Sequence, residues 1–314
     1  MKALQQIIWR VAKNPFRPWA LATLVQTEGS TYRKPGARLL ADSDGATIGV
    51  LSGGCLEGEI GRHGQKVIED GSPVLLSFDT KRLYGCDGRL KILLERLPEA
   101  GENGNLITQV GRLLENRGAC RIRTCFKGDT LGSRLLPSNV LVVEQRGVFI
   151  ETVPLPVRLL LFGTGPEIEP ITQLAGTLGW LVERFWHPSE LAEDFRSDPQ
   201  TAALVMTHNF GRDLLALDRL LPLQIRYVGL LGPRKRQAEL LARLSEYRPL
   251  DFNAGARNLF APAGLDIGSE APEEIALSIV SEVAAVLSRR GGGFLRERKA
   301  DVHTTRAVAS GEAA

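Results

Sequence analysis

No uninterrupted apolar run in this sequence approaches the roughly 18 residues that a membrane-crossing helix requires. The opening stretch MKALQQIIWRVAKNP has its apolar positions broken by Gln5, Gln6, Arg10 and Lys13. It therefore lacks the continuous apolar core of a secretory signal, and predicts an amphipathic helix ending before Pro15. Charge of one sign is scarce as well. The 39 basic and 36 acidic side chains leave a formal net charge of +3, too small a field to recruit nucleic acid or an anionic membrane to the whole surface. Cysteine is limited to Cys55, Cys86, Cys120 and Cys125. These follow no CxxC spacing and are too few for a dense disulfide framework, so reduced thiols are the default. No internal repeat is present. These absences predict a soluble, cytoplasmic protein with neither nucleic acid nor membrane as a partner.

What the sequence has in quantity is glycine. Its 33 glycines among 314 residues exceed the roughly 7% of average usage, and they stand in short clusters rather than as low complexity. The length predicts two domains.

From residue 157 onward the pattern is strand, glycine turn, helix, strand, the mark of an α/β domain built on a parallel sheet. Strands are predicted at Val157–Phe162, Trp180–Phe185, Ala202–Met206 and Ile225–Leu231, with helices at Ile168–Leu178, Gly211–Leu221 and Arg234–Ser245. A last helix starts at Pro272, with Glu273 and Glu274 against the positive end of its dipole, and runs to Arg289 and Arg290. The first half predicts short strands at Ala20–Gln26, Arg38–Ala41, Gly45–Leu51, Val74–Phe78 and Leu90–Glu95, with a helix at Leu56–Asp70. A helix at Leu106–Asn116 and strands at Arg121–Phe126, Val140–Val143 and Val148–Ile150 complete it. The expected fold class is thus α/β, with an α+β domain over residues 1–153 that carries the cysteine turns and a Rossmann-like parallel-sheet domain over 157–290. Pro154 and Pro156 mark the boundary, and 291–314 is expected to be a disordered tail.

Four clusters could carry chemistry. In Ser52-Gly53-Gly54-Cys55-Leu56-Glu57-Gly58, a strand ending in a glycine turn should expose backbone N–H groups and set Cys55 at or near a helix N-terminus, where the dipole favours a thiolate. Gly58, Gly61 and Gly64 would strip one face of that helix, open to a large ligand or another backbone. The competing reading is a small buried thiol and glycines that serve packing. The second cluster, Gly29-Ser30-Thr31-Tyr32-Arg33-Lys34-Pro35-Gly36-Ala37, is a doubly basic turn that could receive phosphate oxygens, or a solvated hairpin loop. The third, Gly85-Cys86-Asp87-Gly88, again holds a cysteine in a tight turn.

The fourth, Gly163-Thr164-Gly165, follows a strand as in a dinucleotide fingerprint, but Ile168 stands at its third glycine position, and the second strand ends in Glu183-Arg184-Phe185-Trp186-His187 without the usual acid. Ordinary NAD binding is therefore weakly supported. His208, after the third strand, and Gly232 with Arg234, after the fourth, fall where strand ends of an open sheet line a ligand crevice. His208 could hydrogen-bond or move a proton and Arg234 could hold an anion; a loop histidine and a solvated helical turn are the alternatives.

Taken together, GSTYRKPGARLL, SGGCLEGEI, the turn at Cys86, LLLFGTGPEIEP, VMTHNFGRDL, YVGLLGPRKRQAELL and GLDIGSEAPEEIALSIVSEV resemble the xanthine dehydrogenase accessory (XdhC/CoxI) family, in order over nearly the whole chain. The resemblance implies a cytosolic, non-catalytic chaperone for the molybdenum cofactor, in its plain molybdopterin or cytosine dinucleotide form. Such a protein shields the cofactor, supports its sulfuration and inserts it into a molybdenum hydroxylase apoenzyme. A cysteine desulfurase and a cytidylyltransferase are implied as further partners, and a homodimer is expected. Cofactor-binding candidates are Gly29, Ser30, Arg33, Lys34, Pro35, Gly36, Ser52, Gly53, Gly54, Cys55, Glu57, Cys86, Gly163, Gly165, His208, Gly232 and Arg234, with Cys55 and Cys86 as molybdenum contacts. The sequence departs from the family pattern at Trp186-His187-Pro188, at Asp87 and at Ala271, where a helix-capping hydroxyl is lost. The alternative function is an NAD(P)-dependent oxidoreductase with His208 as its acid/base group, and a third is a scaffold for the dehydrogenase that holds no cofactor.

Overall fold

A computed structural model describes residues 1–79, 88–99, 104–137, 140, 145–247 and 256–299. The chain divides into two compact units, Met1–Leu155 and Pro156–Ala314.

In the first unit, α1 (Lys2–Lys13) is followed by β1 (Trp19–Gly29), β2 (Arg38–Asp42), β3 (Thr47–Gly49), α2 (Glu57–Asp70), β4 (Val74–Asp79) and β5 (Gly88–Leu97). The strands form an antiparallel sheet in the order β3-β2-β1-β5-β4. Alternation divides the apolar side chains between its faces. Ala20, Ala22, Leu24, Leu39, Ala41, Ile92 and Leu94 meet Ile60, Val67 and Ile68 of α2 on one side. Trp19, Leu21 and Leu40 meet Ile7 and Val11 of α1, and Ile107, on the other. Then come α3 (Leu106–Glu115), capped by the Asn105 side chain, and a smaller antiparallel sheet β7-β6-β8 made of β6 (Cys120–Cys125), β7 (Gly132–Leu136) and β8 (Val148–Val153).

Two strand expectations change here. The strand expected over Gly45–Leu51 shrinks to β3, because Gly45 sits in a turn with φ +80° and its N–H donates back to Asp42. The strand expected at Val140–Val143 is not found at Val140, and 141–144 lie outside the described residues. β6 pairs instead with β7, whose Gly-Ser-Arg-Leu-Leu sequence has too little alternation to announce a strand.

The second unit is a five-stranded parallel sheet in the order β10-β9-β11-β12-β13, from β9 (Arg158–Gly163), β10 (Leu181–Phe185), β11 (Thr201–Met206), β12 (Tyr227–Leu230) and β13 (Leu259–Phe260). Helices α4 (Ile168–Leu178) and α7 (Pro272–Leu287) cover one face over Leu159, Leu161, Ala202 and Leu204. The other face, with Leu160, Phe162, Ala203 and Val205, is covered by α5 (Phe210–Leu220) and α6 (Arg234–Tyr247). Burial on both faces is why these strands read as continuous apolar runs. The chain leaves β9 toward β10 on one side and returns to β11 on the other, so the strand order reverses between β9 and β11. That is where open α/β sheets bind ligands. Beyond α7, the expected tail forms a short 3-10 turn at Leu295–Glu297, and residues 300–314 lie outside the described residues.

Candidate functional site

In the first unit the structure brings two of the sequence clusters, and Gly88 from the end of a third, to one end of the sheet. Gly29 closes β1 opposite Gly88, the first residue of β5. A β-carbon on Gly88 would be driven into the carbonyl oxygen of Ser30 and lie 3.0 Å from Thr31 Cγ2, while one on Gly53 would lie 3.6 Å from the Tyr32 ring. The basic turn therefore packs against the cysteine turn on one side and the start of β5 on the other. Cys86 lies outside the described residues, two positions before Gly88. Cys55 is exposed, and Gly54 beside it, at φ +110°, has no heavy atom within 4 Å of its β-carbon position.

Glu57, in the first turn of α2, reaches back over this turn. Its Oε1 accepts from the Leu51 and Ser52 amides at 2.9 Å each, its Oε2 from the Ser52 hydroxyl at 2.9 Å, and the Leu56 amide donates to Ser52 Oγ. Burial acts to raise the Glu57 pKa, but the hydrogen bonds from Ser52 and Leu51 outweigh it and hold the carboxylate below its ordinary range. This corrects one expectation. The N–H groups of Leu51, Ser52 and Leu56 are taken by the protein's own side chains, so Ser52 and Glu57 shape the turn. The open helix face is corrected as well. Gly61 abuts the Gly45 carbonyl and a β-carbon on Gly64 would lie 2.7 Å from Ala41 Cβ, so both serve close packing, and only Gly58 faces open space.

Within the basic turn, Arg33 and Lys34 are exposed and Pro35 is half-buried. Gly36 has a packing reason: its φ is +94°, and a β-carbon there would lie 2.5 Å from Glu151 Oε2. Glu151 in turn pairs with Arg38, whose side chain is 4% exposed. Of the other thiols, Cys120 is fully buried, and burial first, with Glu151 nearby, pushes it up to about 11 against the opposing effect of Arg38.

In the second unit, the turn after β9 and the loop after β11 meet at the reversal point. Gly163, at φ +146°, leaves no room for a side chain against the Met206 carbonyl. A β-carbon on Gly165 would lie 2.5 Å from Glu167 Oε2 and 2.8 Å from His208 Nε2. His208 has a left-handed backbone at φ +56°. Its loop is fixed by Asp213 of α5, which is fully buried, accepts from the Thr207 amide at 3.1 Å and hydroxyl at 2.5 Å, and pairs with Arg236. Gly232 and the exposed Arg234 stand at the end of the neighbouring β12. Ile168 is 2% exposed in the core beneath the turn, and Glu183 accepts from Arg158 Nε at 2.6 Å and from its Nη2 at 3.0 Å.

Sequence reasoning missed Glu167, Asp213 and Arg236. An acid inside a glycine fingerprint was a readable signal for Glu167. Asp213 and Arg236, 23 residues apart, meet only through the fold.

Residues 14–79 match the family model described as XdhC and CoxI family, and residues 159–283 match that of the XdhC Rossmann domain. A protein of Bacillus subtilis described as a probable xanthine dehydrogenase subunit is 27% identical over 86% of this chain and 93% of its own length. The molybdenum cofactor insertion chaperone PaoD of Escherichia coli is 26% identical over 85% of this chain and 82% of its own length. The crystal structure of a xanthine dehydrogenase from Bacillus halodurans is similar with a TM-score of 0.76 and 25% identity, covering 94% of this chain and 98% of that one.

Proposed function

The chain belongs to the XdhC and CoxI family, and from that premise we propose that it is an accessory protein that binds the molybdenum cofactor and hands it to a xanthine-dehydrogenase-type molybdenum hydroxylase, without catalysing a metabolic reaction itself. The likeness to a named insertion chaperone supports the accessory role. The observation that carries it is the meeting of the basic turn, the cysteine turn and the start of β5 at one end of the first sheet.

The donor set there fits the group. An exposed thiol on Cys55 is a soft ligand of the kind molybdenum takes, Gly54 leaves space beside it, and Arg33 and Lys34 offer charge for a phosphate end. When bound, the cofactor would supply the metal whose terminal oxo ligand is exchanged for sulfur. The chain's own part is to present the Cys55 thiol on a turn that Glu57 holds rigid. Protection during sulfuration, a cysteine desulfurase and a cytidylyltransferase as partners, and the choice between plain and cytosine dinucleotide forms belong to the same reading. A homodimer belongs to it too, through sheet edges such as β10, where Leu181 is 42% exposed, rather than through the glycines of α2.

The oxidoreductase reading loses ground on geometry. The buried Ile168 fills the third glycine position and Glu183 is committed to Arg158, which leaves the ribose without its usual partner. The test is purification from a cell that makes the cofactor, with molybdenum and pterin measured through gel filtration. Retention that falls at least tenfold in Cys55→Ala is expected; equal retention in both proteins contradicts the role given to Cys55.

A further inference from the structure

The chain's excess of positive charge gathers just past the end of α7. Arg289, Arg290, Arg296, Arg298 and Lys299 stand against the single acid Glu297, a net +4 in eleven residues of a chain whose whole net charge is +3. The rest of the sequence is therefore close to neutral. The helix accounts for only part of this local charge. Arg289 and Arg290 follow its last turn, where cations suit the negative end of the dipole, but that effect fades within a turn, and Arg296, Arg298 and Lys299 lie well beyond it.

The stretch is held in place rather than trailing. Arg289 has a left-handed backbone at φ +55°, its N–H donates to the Val286 carbonyl at 2.9 Å, and the Arg290 N–H donates to the Ala285 carbonyl at 2.7 Å, which closes the helix in a Schellman turn. Gly292, at φ +73°, lies so close to the second unit's Leu265 that a β-carbon there would be 2.8 Å from Leu265 Cδ2. The Glu297 and Arg298 amides then donate to the Phe294 and Leu295 carbonyls and form the 3-10 turn.

This anchored backbone displays apolar side chains. Phe294 and Leu295 are each 67% exposed, and the Arg296 guanidinium lies 4.6 Å from the centre of the Phe294 ring. Two large apolar side chains held out side by side oppose solubility, so a merely solvated run of charge does not explain them. Together with Arg289, Arg290, Arg298 and Lys299 they line a concavity of about 680 Å³. A basic hollow with two apolar anchors is complementary to an acidic segment that carries an apolar side chain. A lipid surface fits it less well. Interfacial membrane helices lay an apolar face of several turns in the headgroup layer, whereas this is a single 3-10 turn that contains Glu297.

We propose that residues 289–299 form a docking site for a protruding acidic segment of a partner protein, with Phe294 and Leu295 as apolar anchors and Arg289, Arg296 and Lys299 meeting its carboxylates. The molybdenum hydroxylase apoenzyme is that partner, a choice that rests on the function proposed above.

The full-length chain is titrated against the purified apoenzyme and, separately, against phosphatidylserine vesicles. Saturable binding of the apoenzyme is expected, weakening at least tenfold from low to physiological salt. Phe294→Ala, and Arg296→Glu combined with Lys299→Glu, each weaken it at least tenfold with circular dichroism unchanged. No saturable binding of the apoenzyme, binding unaltered by either change, or tighter binding to the vesicles than to the apoenzyme overturns the proposal. The same variants are expected to retain molybdenum and pterin through gel filtration as the wild type does, so a failure of docking is distinct from a failure of cofactor binding.

Discussion

Cys55 and Cys120 carry the same thiol in opposite surroundings. One is exposed on a glycine turn, and the other is fully buried between α3 and the small sheet with its pKa pushed up to about 11. Because the thiolate is the nucleophile, a brief treatment of the native protein with iodoacetamide near neutral pH should label Cys55 and leave Cys120 unmodified until the chain is unfolded. Mass mapping of the labelled peptides checks this, and modification of Cys120 at the same rate as Cys55 would contradict its assigned burial. Glu57 gives a pH dependence. Its folded pKa lies below its ordinary value of 4.5, so its contribution to stability is fully present above about that pH and is lost as pH falls through the folded value. Glu57→Gln should therefore destabilise the protein by about 1 kcal/mol near neutral pH, the low end for a charged hydrogen-bonding group that is partly solvated. Urea titrations at pH 7 and pH 3.5 should show the difference from wild type shrinking at the lower pH; a difference that grows on acidification would refute the clamp.

Helix α2 decides between two uses of glycine within one element. Gly61 and Gly64 let the helix lie directly on Gly45 and on Ala41 and Ala20, whereas Gly58 faces open space. Alanine improves helix propensity by about 1 kcal/mol at any of the three, but overpacking opposes it by about 1–3 kcal/mol where there is no room. Gly58→Ala should leave the thermal midpoint unchanged or raise it, and Gly61→Ala should lower it; a raised midpoint for Gly61→Ala would mean that this helix does not lie where it is described. Such a distinction is not legible in the sequence, because glycines at spacing three look alike until the neighbouring strand is known. What was legible were elements whose signal is local. The run Val157–Phe162 with its glycine turn announces β9, and Pro272, Glu273 and Glu274 announce α7, where Glu274 accepts from the Glu270 and Ala271 amides although Ala271 offers no capping hydroxyl. β7 and β13 escaped notice, being short and half-buried, with pairing partners rather than composition making them strands.

At the scale of the whole molecule, an antiparallel sheet with helices on both faces and a parallel sheet with helices on both faces each close their own core. The fold class was readable from the change in pattern near residue 157, as alternating short strands gave way to apolar runs spaced by helices. The candidate sites were readable only in part. Turn residues such as Gly53, Gly54, Gly163 and Gly165 stood out by type, and Glu57 with them, whereas the grip of Glu57 on the Leu51 and Ser52 amides and the place of Glu167 against Gly165 come from contacts that the fold creates. The two units share one feature: each has an acid at the start of a helix beside a glycine turn. The first unit also offers a thiol, and the central claim is that this thiol holds the cofactor. The most direct measurement is the molybdenum and pterin content of wild-type and Cys55→Ala protein, purified side by side from a cofactor-producing cell and passed through gel filtration. The account predicts both components with the wild-type peak and at least a tenfold loss of both from the variant; equal content in the two proteins, or none in the wild type, would contradict it.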